Sequence, residues 1–223
     1  MKAKLFLSGI TKFVLGVLLV GTILFISAGS FYYSNAWLFM ALLFIPMFMA
    51  GIILIFKNPQ LLKSRLDVKE NEKEQKLVIL YSGFMFLSGF IIAGLNYRFS
   101  WIIMPKYIVI IASFLFMIAY ILYAEVLREN TYLSRTIEVQ KEQKVVDSGL
   151  YSVVRHPMYS ASLMLFLTMP LILGSIISFI IFLIYPFIIS KRIKYEEEVL
   201  ERELKGYKEY KKKVKYKLIP FIW

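Results

Sequence analysis

The chain has 223 residues, 59% of them apolar and 17% aromatic, with 27 Lys and Arg against 15 Asp and Glu. So high an apolar share does not suit a soluble domain and predicts an integral membrane protein. With no cysteine and one histidine, disulfides, a thiolate nucleophile and a multi-histidine metal centre are excluded, so no metal is expected. The only aspartates, Asp67 and Asp147, stand far apart and no GxG occurs, so magnesium-assisted phosphoryl transfer and a Rossmann nucleotide loop lack their parts.

In chain order, the opening MKAKLFLSGITKFVLGVLLVGTILFISAGS has the basic start and small residues of a secretory signal. Its apolar run is long for one, and Lys12 interrupts its beginning, so it is read as a first transmembrane helix over residues 13–29. Further apolar blocks cover 36–56, 77–96, 107–127 and 157–190, each long enough to cross the bilayer core. The last block would make about 50 Å of helix at 1.5 Å per residue, too long for one crossing. It is predicted to turn back between Pro170 and Ser178, where MPLILGSIIS supplies Pro, Gly and Ser.

Charge supports this hairpin. With the N-terminus inside, all Lys and Arg except Arg98 and Lys106 fall on the cytoplasmic side. A single crossing by the last block would put the basic tail outside. The expected fold is therefore all-α and polytopic: about four transmembrane helices, a C-terminal helical hairpin and a cytoplasmic amphipathic helix. The net charge of +12 sits next to the membrane, where anionic headgroups attract it, so membrane lipids and not nucleic acid are the expected partners.

Residues 57–76, KNPQLLKSRLDVKENEKEQK, read as a solvated loop. Residues 135–147, RTIEVQKEQKVVD, alternate polar and apolar positions and read as an extended segment, closed by a turn at Asp147, Ser148 and Gly149. In GLYSVVRHPMY, residues 149–159, the single histidine precedes a proline that suits the first turn of a helix. His156 is thus placed at a helix entrance, whose free N–H groups suit a carboxylate. Arg155 by itself reads as an interface anchor with its head in the headgroup layer. About thirty residues later, Arg192 and Glu196 lie four apart on a helix leaving the membrane; an ordinary ion pair is one reading. From Val199 on, Leu200, Leu204, Tyr207 and Val214 are spaced like a surface helix lying on lipid.

Together, QKVVDSGLYSVVRHPMY, the apolar hairpin, RIKYEEEVL, GYKEYKKKV and KLIPFIW resemble the isoprenylcysteine carboxyl methyltransferase family and its bacterial relatives, a group similar to phospholipid N-methyltransferases. The resemblance covers residues 130–223 and implies two regions, N-terminal transmembrane helices at 1–127 and a methyltransferase-like region at 128–223. It implies S-adenosylmethionine bound at the cytoplasmic face and a lipophilic or lipid-linked acceptor arriving from the bilayer. Carried over by position, Gln140, Gln143, Lys144, Val145, Val146, Tyr151, His156, Pro157, Met158, Tyr159, Glu196 and Glu197 would surround the cofactor, and Arg192 would orient the acceptor. The prenylcysteine enzymes usually carry histidine where this chain has Gln143.

Methyl transfer from a sulfonium is an in-line displacement that needs alignment more than an enzyme nucleophile. A carboxylate acceptor needs only orientation by Arg192, whereas an amine must first lose a proton, to His156 or a glutamate. Two other readings stay open. Sterol reductases, which use NADPH, end in a similar pattern, and a non-enzymatic membrane protein retaining the fold would show the same motifs.

Overall fold

The computed structural model describes residues 2–66, 73–133, 139–140 and 142–223, and among these the chain is helical without a strand. The middle of the expected 57–76 loop and residues 135–138 and 141 of the expected extended segment lie outside the described residues.

Helices α1 (Lys2–Ala28), α2 (Ser34–Lys57), α4 (Lys73–Phe99) and α5 (Lys106–Glu129) form the N-terminal bundle. Such uninterrupted apolar runs can satisfy their backbone polar groups in hydrocarbon only as helices. Among the described residues, five segments are long and apolar enough to cross a membrane: Leu5–Ala28, Ser34–Lys57, Lys76–Phe99, Lys106–Glu129 and Ile176–Glu203. The first begins well before residue 13. Lys12 does not interrupt it, because its ammonium reaches the Leu66 carbonyl at 2.5 Å. α1 packs along α4, and its Leu24, Phe25 and Ala28 are buried there in the core.

The expected solvated loop contains a short helix, α3 (Pro59–Leu66). Asn58 Oδ1 accepts from the Leu61 amide at 3.1 Å, and Leu61 and Leu62 are buried. Two adjacent leucines in a charged stretch carry too little periodicity to announce this, but burying both is enough to hold one turn against α1 and α2. On its other side, Ser64 Oγ donates to the Leu133 carbonyl (3.3 Å), and Arg65 reaches Met158 Sδ (3.8 Å) and the Tyr123 hydroxyl.

The hairpin follows as expected. α6 (Pro157–Ile172) runs in, Leu173–Ser175 turn, and α7 (Ile176–Phe182) with α8 (Tyr185–Glu203) runs back. Pro170 has no N–H for its helix, Gly174 takes a left-handed φ of +74°, and Ser175 Oγ accepts from the Ser178 amide at 3.2 Å to start α7. A side chain at Gly89 would meet the Phe182 ring at 2.3 Å, so the missing Cβ lets α7 lie directly on α4. Around this contact Phe86 meets Phe166 and Phe182 edge-on, with centroids 4.9 and 5.4 Å apart. At the turn, the Tyr33 hydroxyl donates to the Leu173 carbonyl (2.5 Å), while Asn96 Nδ2 donates to the carbonyls of Ile102 (3.0 Å) and Gly174 (3.4 Å).

The tail departs from expectation. α8 ends at Glu203, Gly206 turns the chain at φ +89°, and a separate helix α9 (Tyr207–Lys213) follows. Its apolar side does not lie on lipid: Leu204, Tyr207, Tyr210 and Val214 are buried together against Val139, Val145 and Leu200. The stripe was real, but what covers it is the segment before the RHP motif.

Candidate functional site

Where the hairpin arms meet, opposite the turn, polar side chains line up in alternating charge. Pro157 sets the first turn of α6, and His156 precedes it with φ −126°, as proline requires of its neighbour. This aims the imidazole across at α8, where Glu196 and Glu197 stand side by side. His156 Nε2 lies 3.2 Å from Glu197 Oε1 and Nδ1 lies 3.7 Å from Glu196 Oε1. Burial pushes the imidazole pKa down, but the hydrogen bonds and charges of Glu196 and Glu197 outweigh it and hold the pKa above the ordinary histidine value.

The array extends on both sides. Tyr159, one turn into α6, donates its hydroxyl to Glu196 Oε2 and accepts from Arg192 Nε at 2.9 Å. Arg192 and Glu196 are therefore joined through a third side chain, which the sequence reading of a simple i,i+4 pair did not include. At the other end Arg155 Nε donates to Glu197 Oε1 at 2.7 Å, and its Nη1 donates to the carbonyls of Val214 and Lys215, both at 2.8 Å. Lys211 and Lys217 approach Glu197 Oε2 at 3.5 and 3.9 Å.

Arg155 is thus no snorkelling anchor. Only 6% exposed, it clamps the tail to the α6 entrance. The backbone repeats the clamp, because the amides of Arg155 and His156 donate to the carbonyls of Tyr216 and Lys217, both at 2.9 Å. A guanidinium offers five donors, so one side chain can hold a carboxylate and two carbonyls at once.

A cleft opens beside this array. Of the residues singled out from sequence, Gln143, Lys144, Val145, Val146, Tyr151, His156, Met158, Tyr159, Arg192 and Glu196 line it. Gln140, Pro157 and Glu197 do not. Gln140 supports the wall from behind, with its Nε2 on the Tyr132 carbonyl (2.8 Å) and its amide on Gln143 Oε1 (2.8 Å). Pro157 is buried in the helix start, and Glu197 faces the clamp.

The sequence reading missed Asn130, Tyr132 and Leu133, which follow α5 and form one wall, and Tyr210 on α9. Asn130 Nδ2 donates to the Tyr151 hydroxyl at 3.0 Å, and the Tyr210 hydroxyl donates to the Tyr151 carbonyl at 2.7 Å. An Asn just after a helix end was the one signal available for Asn130. Val199, Leu200, Leu204 and Tyr207, read from sequence as a lipid-facing stripe, complete the apolar wall. The Tyr207 hydroxyl, also at the cleft, is fully buried with no hydrogen-bond partner among the described residues. No group of three or more His, Asp or Glu among the described residues has the arrangement of a metal site.

The cleft lining therefore combines an apolar and aromatic set, Val145, Leu200, Leu204, Tyr207 and Tyr210, with the polar array of Arg192, Tyr159, Glu196 and His156. A nucleoside bearing a charged amino-acid tail fits such a mixed lining. Residues 107–206 match the family model Phospholipid methyltransferase. The match bears out the resemblance read from the motifs and adds α5 to it. No curated protein matches the chain.

Proposed function

Starting from a membrane methyltransferase, we propose that the chain binds S-adenosylmethionine in this cleft and methylates the carboxylate of a lipophilic or lipid-linked acceptor. S-Adenosylmethionine would supply an electrophilic methyl on a sulfonium, and the chain's residues bind and align. The apolar walls would hold the nucleoside and the polar array the charged tail, with Gln143, Tyr151 and Glu196 among the contacts. Arg192, braced by Tyr159, would present a planar fork to the acceptor carboxylate from the membrane side.

The observation that favours a carboxylate over an amine is the state of the two groups available as bases. The carboxylates of Glu196 and Glu197 raise the His156 pKa and favour its protonated form, and Glu196 already accepts from Tyr159 and faces that imidazole. An amine acceptor would need one of them to take a proton. A carboxylate needs neither, and His156 becomes a positioning residue. The basic side of the bundle, which includes this cleft, would face the cytoplasm, as the Lys and Arg distribution argues.

The test incubates the purified protein in native lipid extract with labelled methyl donor and identifies the product by mass spectrometry. Release of labelled methanol by mild base is expected from a methyl ester. A base-stable product, with a rate that climbs with pH across about pH 6.5–9 as an amine loses its proton, would replace the carboxylate reading with N-methylation. Single cysteines at Ser148 and Lys211 in this Cys-free chain should both react with an impermeant reagent from the cytoplasmic side only.

A further inference from the structure

Large apolar side chains exposed on this molecule fall almost entirely on the membrane-spanning segments and on the loops joining them at the turn end. Apart from Val153, the exception among the described residues is the segment after α9, where Phe221 is 87% and Ile222 77% exposed and Ile219 and Trp223 are each 40% exposed. This segment is closed on itself. The Trp223 carbonyl accepts from the amides of Lys217, Leu218 and Ile219 at 2.9, 2.9 and 3.0 Å, and the Trp223 amide donates back to the Ile219 carbonyl at 3.0 Å. Phe221 takes a left-handed φ of +65°, uncommon for a bulky residue, at the bend of the resulting hook. Its ring lies 5.4 Å from that of Tyr216, and Lys217 Nζ lies 5.1 Å over the Trp223 ring.

The hook is fastened where α6 enters the bundle. Ser160 Oγ, in the first turn of α6, donates to the Leu218 carbonyl at 2.6 Å, and Leu218, only 4% exposed, belongs to the core shared by the spanning helices. Exposed aromatic and aliphatic tips beside cations, at the end of a membrane-entering helix, suit the boundary between headgroups and acyl chains. Lys212 and Lys215, just before the hook, are exposed and meet no acidic partner among the described residues. We propose that the hook is an interfacial anchor: Phe221 and Ile222 insert into the bilayer that α6 enters, and anionic headgroups are drawn to Lys212 and Lys215. Insertion removes from water an apolar surface that no protein group covers. The anchored segment also closes the α6 entrance, since the Lys217 carbonyl accepts from the His156 amide at 2.9 Å and its ammonium stands 3.9 Å from Glu197 Oε2. The anchor requires that the helices span a bilayer, not that the cleft binds a cofactor.

The experiment labels the single-cysteine variants Phe221→Cys, Ile222→Cys, Phe187→Cys and Lys208→Cys with a fluorophore. Each is reconstituted in vesicles of phosphatidylcholine and phosphatidylglycerol, with or without lipids brominated near the headgroup end of their acyl chains. Phe187, 72% exposed on a spanning segment, reports contact with lipid, and Lys208, exposed on α9, reports contact with water. Both hook labels should lose fluorescence to brominated lipid to an extent comparable with the label at 187, whereas the label at 208 should lose it only to aqueous iodide. Hook labels quenched by iodide alone place the hook in water and overturn the proposal. Hook labels shielded from both quenchers, or a disulfide between two copies of Phe221→Cys, mean that protein covers the hook, and this overturns the proposal as well. No quenching by lipid at 187 removes the spanning premise, and the anchor with it.

Discussion

The two ends of the hairpin use polar groups differently. At the turn, Tyr33, Asn96, Gly174 and Ser175 are neutral, and their hydrogen bonds go mostly to backbone carbonyls and amides. At the open end, Glu196, His156, Glu197 and Arg155 stand in a row of ionisable groups facing one another, and Arg192 joins it through the Tyr159 hydroxyl. Neutral side chains suffice to close a bundle. A row of buried charges is far more expensive to assemble, and this one stands beside the cleft proposed to bind the methyl donor.

The largest effect should come from opening the charged end. Arg155→Leu leaves Glu197 buried with part of its compensation gone, and the expected loss is about 3–5 kcal/mol, read as a fall in melting temperature in detergent. If the variant melts like wild type, the clamp is not structural and the contrast between the ends fails. Next is Arg192→Lys, which keeps charge but loses the planar fork. Turnover should drop about 10²-fold through misalignment, with S-adenosylhomocysteine affinity unchanged in calorimetry. Equal losses in turnover and binding would return Arg192 to a purely structural role.

The neutral end should give a different signature. Gly174→Ala forces a side chain into a left-handed backbone, where its Cβ would sit 2.7 Å from Asn35 Nδ2. The cost should be about 1–2 kcal/mol of stability without change in cofactor affinity, and altered affinity would show that the two ends are coupled.

The smallest expected effect is on pH dependence. The folded pKa of His156 is raised, so its stabilising contribution is complete below the unfolded value, about 6.5, and is lost as pH rises through the folded value. Wild-type melting temperature should therefore decline more steeply with rising pH above that point than that of His156→Gln. Parallel curves would mean that the imidazole is neutral in the folded protein.

The spans and the hairpin were legible because hydropathy and the Lys and Arg count act over whole segments. His156, Tyr159, Arg192 and Glu196 were legible through motif order, and the structure gathers them. Arg155 was not: its partners lie at Glu197 and at Val214 and Lys215, and no local pattern distinguishes a clamping arginine from a snorkelling one. The stripe from Leu200 to Val214 announced a covered face without naming the cover, and lipid and protein look alike to an aliphatic side chain. α3 rests on two leucines, and the wall at Asn130 and Tyr132 on tertiary contacts alone.

The Arg155 clamp also bears on the order in which the chain can mature. Its carbonyl partners lie 59 and 60 residues further along, beyond both arms of the hairpin. A nascent chain can seat α1 to α5, and even thread α6, while the α6 entrance still lacks the segment that closes it. Contacts so distant in sequence form late. A chain cut short after α8 therefore lacks both the carbonyls of the clamp and the Tyr207 and Tyr210 side of the cleft.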